Sequence, residues 1–202
     1  MRLRQMIFLT GWVVFILYAL LLAPDGNLGY LNQLITMNDP DPFLLMVFSF
    51  LGIYPLLYVA LLIDEDRSGL PLWPFLLGMF MLGAFALMPY FFLSRARNKR
   101  EGRIPYWLVK VFHARMFISF LVVVTIALLW YGVSQGYFWF YWHDFQTSNF
   151  VHVMTIDFMV LSILTIFVIY WKERRYGKVN RMHWFGSIPI LGALFYMFIR
   201  KG

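Results

Sequence analysis

One acidic residue stands out by its position. Asp157 lies inside the apolar stretch Asn149–Trp171, NFVHVMTIDFMVLSILTIFVIYW. A run of about 20 apolar residues, rising about 1.5 Å each, crosses a hydrocarbon core of about 30 Å. An aspartate in such a helix costs roughly 2.5–3.5 kcal/mol on insertion scales, so Asp157 needs a proton, a partner or a wet cavity. At about 100° per residue, His152, Thr155 and Ser162 share one side of the helix, and Asp157 falls away from them, nearer Asn149, Val153 and Leu164. Its partner must therefore come from another segment. Two roles follow: a hydrogen-bonded link between helices, or a contact for a proton, ion or ligand. The candidate set for the second role is Asp157, Arg115, His152, His143 and Asn149.

Other chemistry is thinly represented. The four histidines are His113, His143, His152 and His183, and none forms an H-E-x-x-H pattern, which removes a zinc-protease reading. His113 and His152 belong to opposite ends of the spans, so a two-histidine haem or metal site reduces to His143 with His152. There is no glycine-rich phosphate loop and no mid-span lysine for a Schiff base. The run Tyr137 to Trp142 reads as an aromatic belt at the membrane interface. Its sharper reading is a platform, through Trp139, Tyr141 and Trp142, for a pigment, a quinone or a lipid tail. No metal site is expected, and none of these cofactors is strongly implied.

The elements that must position these residues are membrane helices. Of 202 residues, 61% are hydrophobic and 13% charged, against about 25% charged in a soluble domain. The mean hydropathy is +0.69. Cysteine is absent, which excludes disulfides and thiolate chemistry. The net charge of +7 sits in short loops between apolar segments, where the positive-inside rule accounts for it, so no nucleic-acid partner is expected. The partners expected are the lipid bilayer and other membrane proteins.

The expected fold is all-α, with six transmembrane helices: Met1–Leu22, Phe43–Ile63, Leu72–Leu93, Leu108–Trp130, Phe150–Tyr170 and Trp184–Ile199. The first is a retained helix rather than a signal peptide, because its apolar run is long and no A-x-A site follows. The two halves look alike. Phe43 to Ala84 and Phe150 to Ala193 each read as helix, charged turn, Trp-Pro-Phe or Trp-Phe, then Leu-Gly-Ala. This suggests a duplicated three-helix module, 1–94 and 108–202, joined by a basic linker, 95–107. Three crossings per copy would invert the second copy. With six spans, five of the 17 Lys and Arg fall on the side of the termini and twelve on the other. The count puts the termini outside and the runs Arg95–Arg103 and Lys172–Arg181 in the cytoplasm, although Arg2 and Arg4 argue the other way. In that arrangement Arg115 would lie about 10 Å deep and become the natural charged partner of Asp157.

Phe117 to Gly202 resembles a family of bacterial three-helix membrane proteins of unknown function. The matching features are the aromatic loop, the Asp157 helix, the turn Glu173-Arg174-Arg175-Tyr176-Gly177, and Pro189-Ile190-Leu191 before a basic end. Leu51 to Arg95 is similar to uncharacterised membrane proteins of cyanobacteria and chloroplasts, through Tyr54-Pro55, Asp64 to Gly69, Trp73-Pro74-Phe75 and Pro89-Tyr90. The resemblance implies architecture and no activity. It places the chain in a cytoplasmic membrane, or in a thylakoid membrane if the host is photosynthetic. The expected function is a non-catalytic accessory or assembly protein that binds lipid, pigment or partner helices. The alternatives are a small transporter or channel with Asp157 in its pathway, and a membrane enzyme acting on a lipid or isoprenoid.

Overall fold

The computed structural model describes residues 3–26, 29–63, 70–94, 104–175 and 181–200. The charged turn Asp64–Gly69, the basic run Arg95–Arg103 and the segment Tyr176–Asn180 lie outside them. The described residues are helical, with no strand. In chain order the helices are α1 (Leu3–Leu21), α2 (Tyr30–Thr36), α3 (Pro42–Leu62), α4 (Trp73–Leu93), α5 (Tyr106–Phe112), α6 (Arg115–Gln135), α7 (Phe138–Thr147), α8 (Asn149–Arg175) and α9 (Leu191–Arg200), with a 3-10 segment at Arg181–Ser187. Five of them, α1, α3, α4, α6 and α8, are long and apolar enough to cross a membrane. The protein is a multi-pass membrane protein.

The bundle is built around α3. Asp41 caps its start, where Oδ1 accepts from the N–H groups of Phe43 (2.8 Å) and Leu44 (3.1 Å), and Pro42 takes the first helical position, where a missing N–H costs nothing. Helix α3 is covered by α6 on one side and by α4 and α8 on others. Its tyrosines Tyr54 and Tyr58 are fully buried and face α8. Helices α3 and α8 run parallel: Phe48 meets Phe150, Tyr54 meets Ser162, and Leu61 meets Lys172. Helix α6 runs antiparallel to α3, because His113, just before it, reaches Ala60 while Gly132 packs on Met46.

Helix α4 departs from the sequence expectation. At Gly83 the backbone leaves helical geometry (φ 51°, ψ −128°), a conformation open to glycine and costly for other residues. The two limbs, 73–82 and 84–93, fold back on each other. The rings of Phe75 and Tyr90 lie 5.7 Å apart, and a Cβ on Gly78 would sit 3.0 Å from Ala86 Cβ. In a straight helix, positions 75 and 90 would be about 22 Å apart. The third apolar stretch is thus a hairpin that enters and leaves at one end of the bundle. Helix α1 runs antiparallel to its second limb, with Phe15 stacked on Phe85 (3.9 Å) and Phe8 on Phe91 (5.0 Å).

The sixth stretch behaves in the same way. The 3-10 segment packs against the middle of α8, where Gly186 is pressed on Ile166. The chain turns through Ile190 at φ 58°, and α9 returns with Phe195 5.3 Å from Phe185. Only α1, α3, α6 and α8 therefore run the length of the bundle among the described residues. Six membrane-length helices were expected; among the described residues five are long and apolar enough to cross a membrane. The Arg4 guanidinium donates to Ser94 O (3.2 Å). The N-terminal end therefore shares a face with the residue that precedes the basic run.

The fourth predicted helix is also divided. It breaks at Ala114 (ψ 136°) into the short α5 and the spanning α6. Arg115 is consequently the first residue of α6, at the end of the bundle rather than 10 Å inside it.

Candidate functional site

Asp157 sits on α8 with 6% of its surface exposed, opposite the tip of the first hairpin. Its Oδ1 accepts the backbone N–H of Ala84 at 2.8 Å. Ala84 opens the second limb, so this N–H has no partner within its own helix. Asp157 thus caps a helix of another segment from the side, and the positive end of that limb's dipole faces the carboxylate. Gly83 makes the approach possible: a Cβ there would lie 1.8 Å from Oδ2. The expected ion pair with Arg115 is not formed. Helix α6 packs on α3 and α9, whereas Asp157 faces α4.

Several other polar groups of the bundle are engaged with backbone or hydroxyl partners. Pro89 has no N–H, which frees the carbonyl of Phe85 four residues earlier. Trp12 Nε1 donates to that oxygen at 2.9 Å. Gln5 Nε2 donates to Phe92 O at 2.9 Å and Arg4 to Ser94 O, so α1 caps the end of α4. The end of α3 is capped in the same manner: His113 Nε2 donates to Ala60 O at 2.9 Å and the buried Lys172 Nζ donates to Leu61 O at 2.7 Å. Cationic or N–H donors at a helix C-terminus suit its partial negative charge. Between α3 and α8, Tyr54 Oη lies 2.7 Å from Ser162 Oγ, and Tyr58 donates to Leu161 O at 2.8 Å. A charge-assisted bond is worth about 1.5–3 kcal/mol. Lys172→Met is therefore expected to lower stability in detergent by about that amount, with Lys172→Arg milder, in thermal melts. Equal melts for Lys172→Met and wild type would contradict the capping role.

The one histidine pairing the sequence left open, His143 with His152, is not assembled. His152 stacks on Phe145 (ring centroids 4.3 Å), and its Nδ1 lies 2.8 Å from Phe145 O. A carbonyl only accepts, so Nδ1 carries the proton; in the neutral ring Nε2 then accepts from the Tyr18 hydroxyl at 2.6 Å. Both nitrogens are occupied, leaving none for a metal. His143 is exposed on α7, with Nδ1 3.7 Å from Asp144 Oδ1. Among the described residues no group of three His, Asp or Glu is placed to hold a metal. Asn149 is exposed at the start of α8, and its backbone N–H donates to Gly26 O at 2.8 Å.

The aromatic run forms a helix, α7, rather than a loop. Trp139 (77% exposed) and Trp142 remain on its outer side, whereas Tyr141 turns inward and its hydroxyl meets Thr155 Oγ1. Tyr141 therefore leaves the proposed platform. Sequence reasoning did not pick out Gly83, Ala84, Tyr58 or Lys172 as site residues. The Leu-Gly-Ala repeat marked Gly83, but only as a sign of duplication.

At the same end of the bundle Tyr30 of α2 donates to Asp144 Oδ1 at 2.6 Å. Burial, and then the carboxylate that accepts its proton, push the Tyr30 hydroxyl up to about 12. Burial pushes Tyr141 up to about 12 as well, with Thr155 opposing. The folded state holds these protons more tightly than the unfolded chain. The stability they contribute is whole below about pH 10 and is lost as pH rises from 10 to about 12. Melts between pH 8 and 11.5 are expected to fall above pH 10, and Tyr30→Phe is expected to flatten part of that fall. A decline equally steep in Tyr30→Phe would contradict the assignment to Tyr30.

No protein family, curated protein or solved structure matches the chain.

Proposed function

We propose that the protein is a non-catalytic membrane accessory or assembly protein that offers its bilayer-facing sides to lipid, pigment or partner helices. One observation carries this reading. Polar side chains inside the bundle, Asp157 on Ala84, Trp12 on Phe85 and Lys172 on Leu61 among them, are engaged in fixing its own helices and hairpins, while α6 and α7 turn large apolar side chains such as Trp130 and Trp139 outward. The connections 22–41 and 136–148 at one face hold four Asp and no Lys or Arg. The 17 Lys and Arg fall in segments adjoining the opposite face, which is then cytoplasmic. This removes the conflict that Arg2 and Arg4 posed. The two halves, 1–94 and 108–202, are copies of one module of two crossings and a hairpin, related by an axis along the membrane normal.

A second reading has its own observation. Half-membrane hairpins with a helix N-terminus at mid-depth are a recurring device of transporters, and Asp157 stands at such a terminus. Reconstitution in liposomes containing a pH-sensitive dye separates the two. The accessory reading expects no proton or cation flux above that of empty liposomes. Flux abolished by Asp157→Asn would overturn it in favour of transport. A stoichiometric pigment or membrane partner in the gently purified protein would support it.

A further inference from the structure

We infer that the groove between α6 and the second hairpin holds an acyl chain of an anionic phospholipid, with its phosphate at the basic face. The inference deepens the accessory reading, on which it rests for lipid as the ligand class. The groove encloses about 640 Å³, within the range of small-molecule sites. Val122 and Val123 of α6 form one wall, and Phe185, Ile188, Leu191 and Phe195 of the hairpin form the other. Val123 is 64% exposed and Ile188 53%, so the groove opens sideways onto lipid.

Its depth suits a chain of one leaflet. Ile188 marks the hairpin tip, and the 10 residues of α9 rise about 15 Å from there, half of a core of about 30 Å. A partner helix crossing the whole bilayer would outrun the groove at the tip, whereas an acyl chain from one leaflet would end there.

Its mouth selects the headgroup. Ser119 lines the groove one turn above Arg115, the first residue of α6, on the same helix face. The 3-10 segment begins at Arg181, α9 ends at Arg200, and Lys201 follows in sequence. The elements that form the groove thus start or finish at basic residues. Arginine recognises phosphate through paired N–H donors, and basic residues near a membrane surface favour anionic lipid.

The test is native mass spectrometry of the full-length protein in mild detergent. The sample is equilibrated with equal amounts of phosphatidylglycerol and phosphatidylcholine that carry the same acyl chains. One phosphatidylglycerol per chain is expected, favoured about tenfold over phosphatidylcholine. Val123→Trp fills the groove from α6 and Ile188→Trp from the hairpin; each should lose the bound lipid. Arg115→Gln should keep a lipid but lose the preference. Gel filtration and circular dichroism establish that each variant is folded, and the two tryptophan variants cover for each other. Equal retention of both lipids by wild type would overturn the headgroup assignment. An undiminished adduct in a folded Val123→Trp or Ile188→Trp would overturn the groove. Flux into liposomes leaves these readouts untouched, so the failure of the accessory reading is distinguishable from the failure of this inference.

Discussion

Gly83→Ala is expected to be among the most damaging single methyl additions in the chain. The residue holds φ 51° and ψ −128°, and placing a side chain in so sparsely populated a region costs about 1–3 kcal/mol. The new Cβ would also lie 1.8 Å from Asp157 Oδ2 and 2.6 Å from its Cγ. The carboxylate cannot yield freely, because moving it away breaks the bond to Ala84 N–H and orphans that group in an apolar surrounding. That adds about 1–3 kcal/mol. The combined loss should be plain in thermal melts in detergent and in the yield of monodisperse protein. The double variant Gly83→Ala with Asp157→Ala removes the collision but keeps the backbone penalty, so it should lose less than the sum of the two single losses. Simple additivity would mean that the tip and the carboxylate do not touch.

Removing the carboxylate is the second large effect. Asp157→Leu puts a bulkier apolar side chain at the site and leaves Ala84 N–H with no acceptor, so it should cost about 1–3 kcal/mol or more. Asp157→Asn keeps an acceptor oxygen at the same place and should be much milder. Arg115→Gln should not follow either variant, since Arg115 lies at the end of the bundle and the hydrogen bond to Asp157 comes from Ala84. Thermal melts of the three variants decide the matter. An Asp157→Asn as damaging as Asp157→Leu would show that charge, rather than an acceptor, is what the site requires. Strong coupling between Arg115 and Asp157 in a double-mutant cycle would restore the ion pair and contradict the capping geometry.

Much of the helical content was legible, because apolar runs of about 20 residues state their own length. Helices α1 and α3 fall within two residues of where hydropathy puts them, α8 runs five residues further, and α6 begins seven residues later than expected. Asp157 was legible as an exception to its surroundings, and the need for a partner on another segment followed from its place on the helical wheel. The identity of that partner was not legible. Hydropathy counts residues and carries no direction, so the 21 residues of α4 look the same whether they run straight or fold back. Glycine and proline gave no decision either. Pro55 lies inside α3, which passes through the bundle, whereas Gly83 reverses the chain. Two weak signals did point to the hairpins. The stretch Trp184–Ile199 is short for a full crossing, and six crossings left Arg2 and Arg4 on the wrong side. The break at Ala114 carried no signal of its own, and missing it placed Arg115 too deep.

The hairpin at Gly83 is the claim on which the topology, the capping role of Asp157 and the common orientation of the halves all depend. The chain has no cysteine, so spin labels can be placed at will. Trp73 and Leu93, at the two ends of α4, are both exposed and tolerant sites for Trp73→Cys and Leu93→Cys. The measurement is the distance between the two labels by pulsed electron resonance in reconstituted bilayers. Labels at the ends of a continuous helix would be about 30 Å apart, given a rise of about 1.5 Å over twenty steps. A hairpin brings both ends to the same face, and the account predicts a distribution centred below about 20 Å, a label on each side chain included. A distribution centred near 30 Å would contradict it.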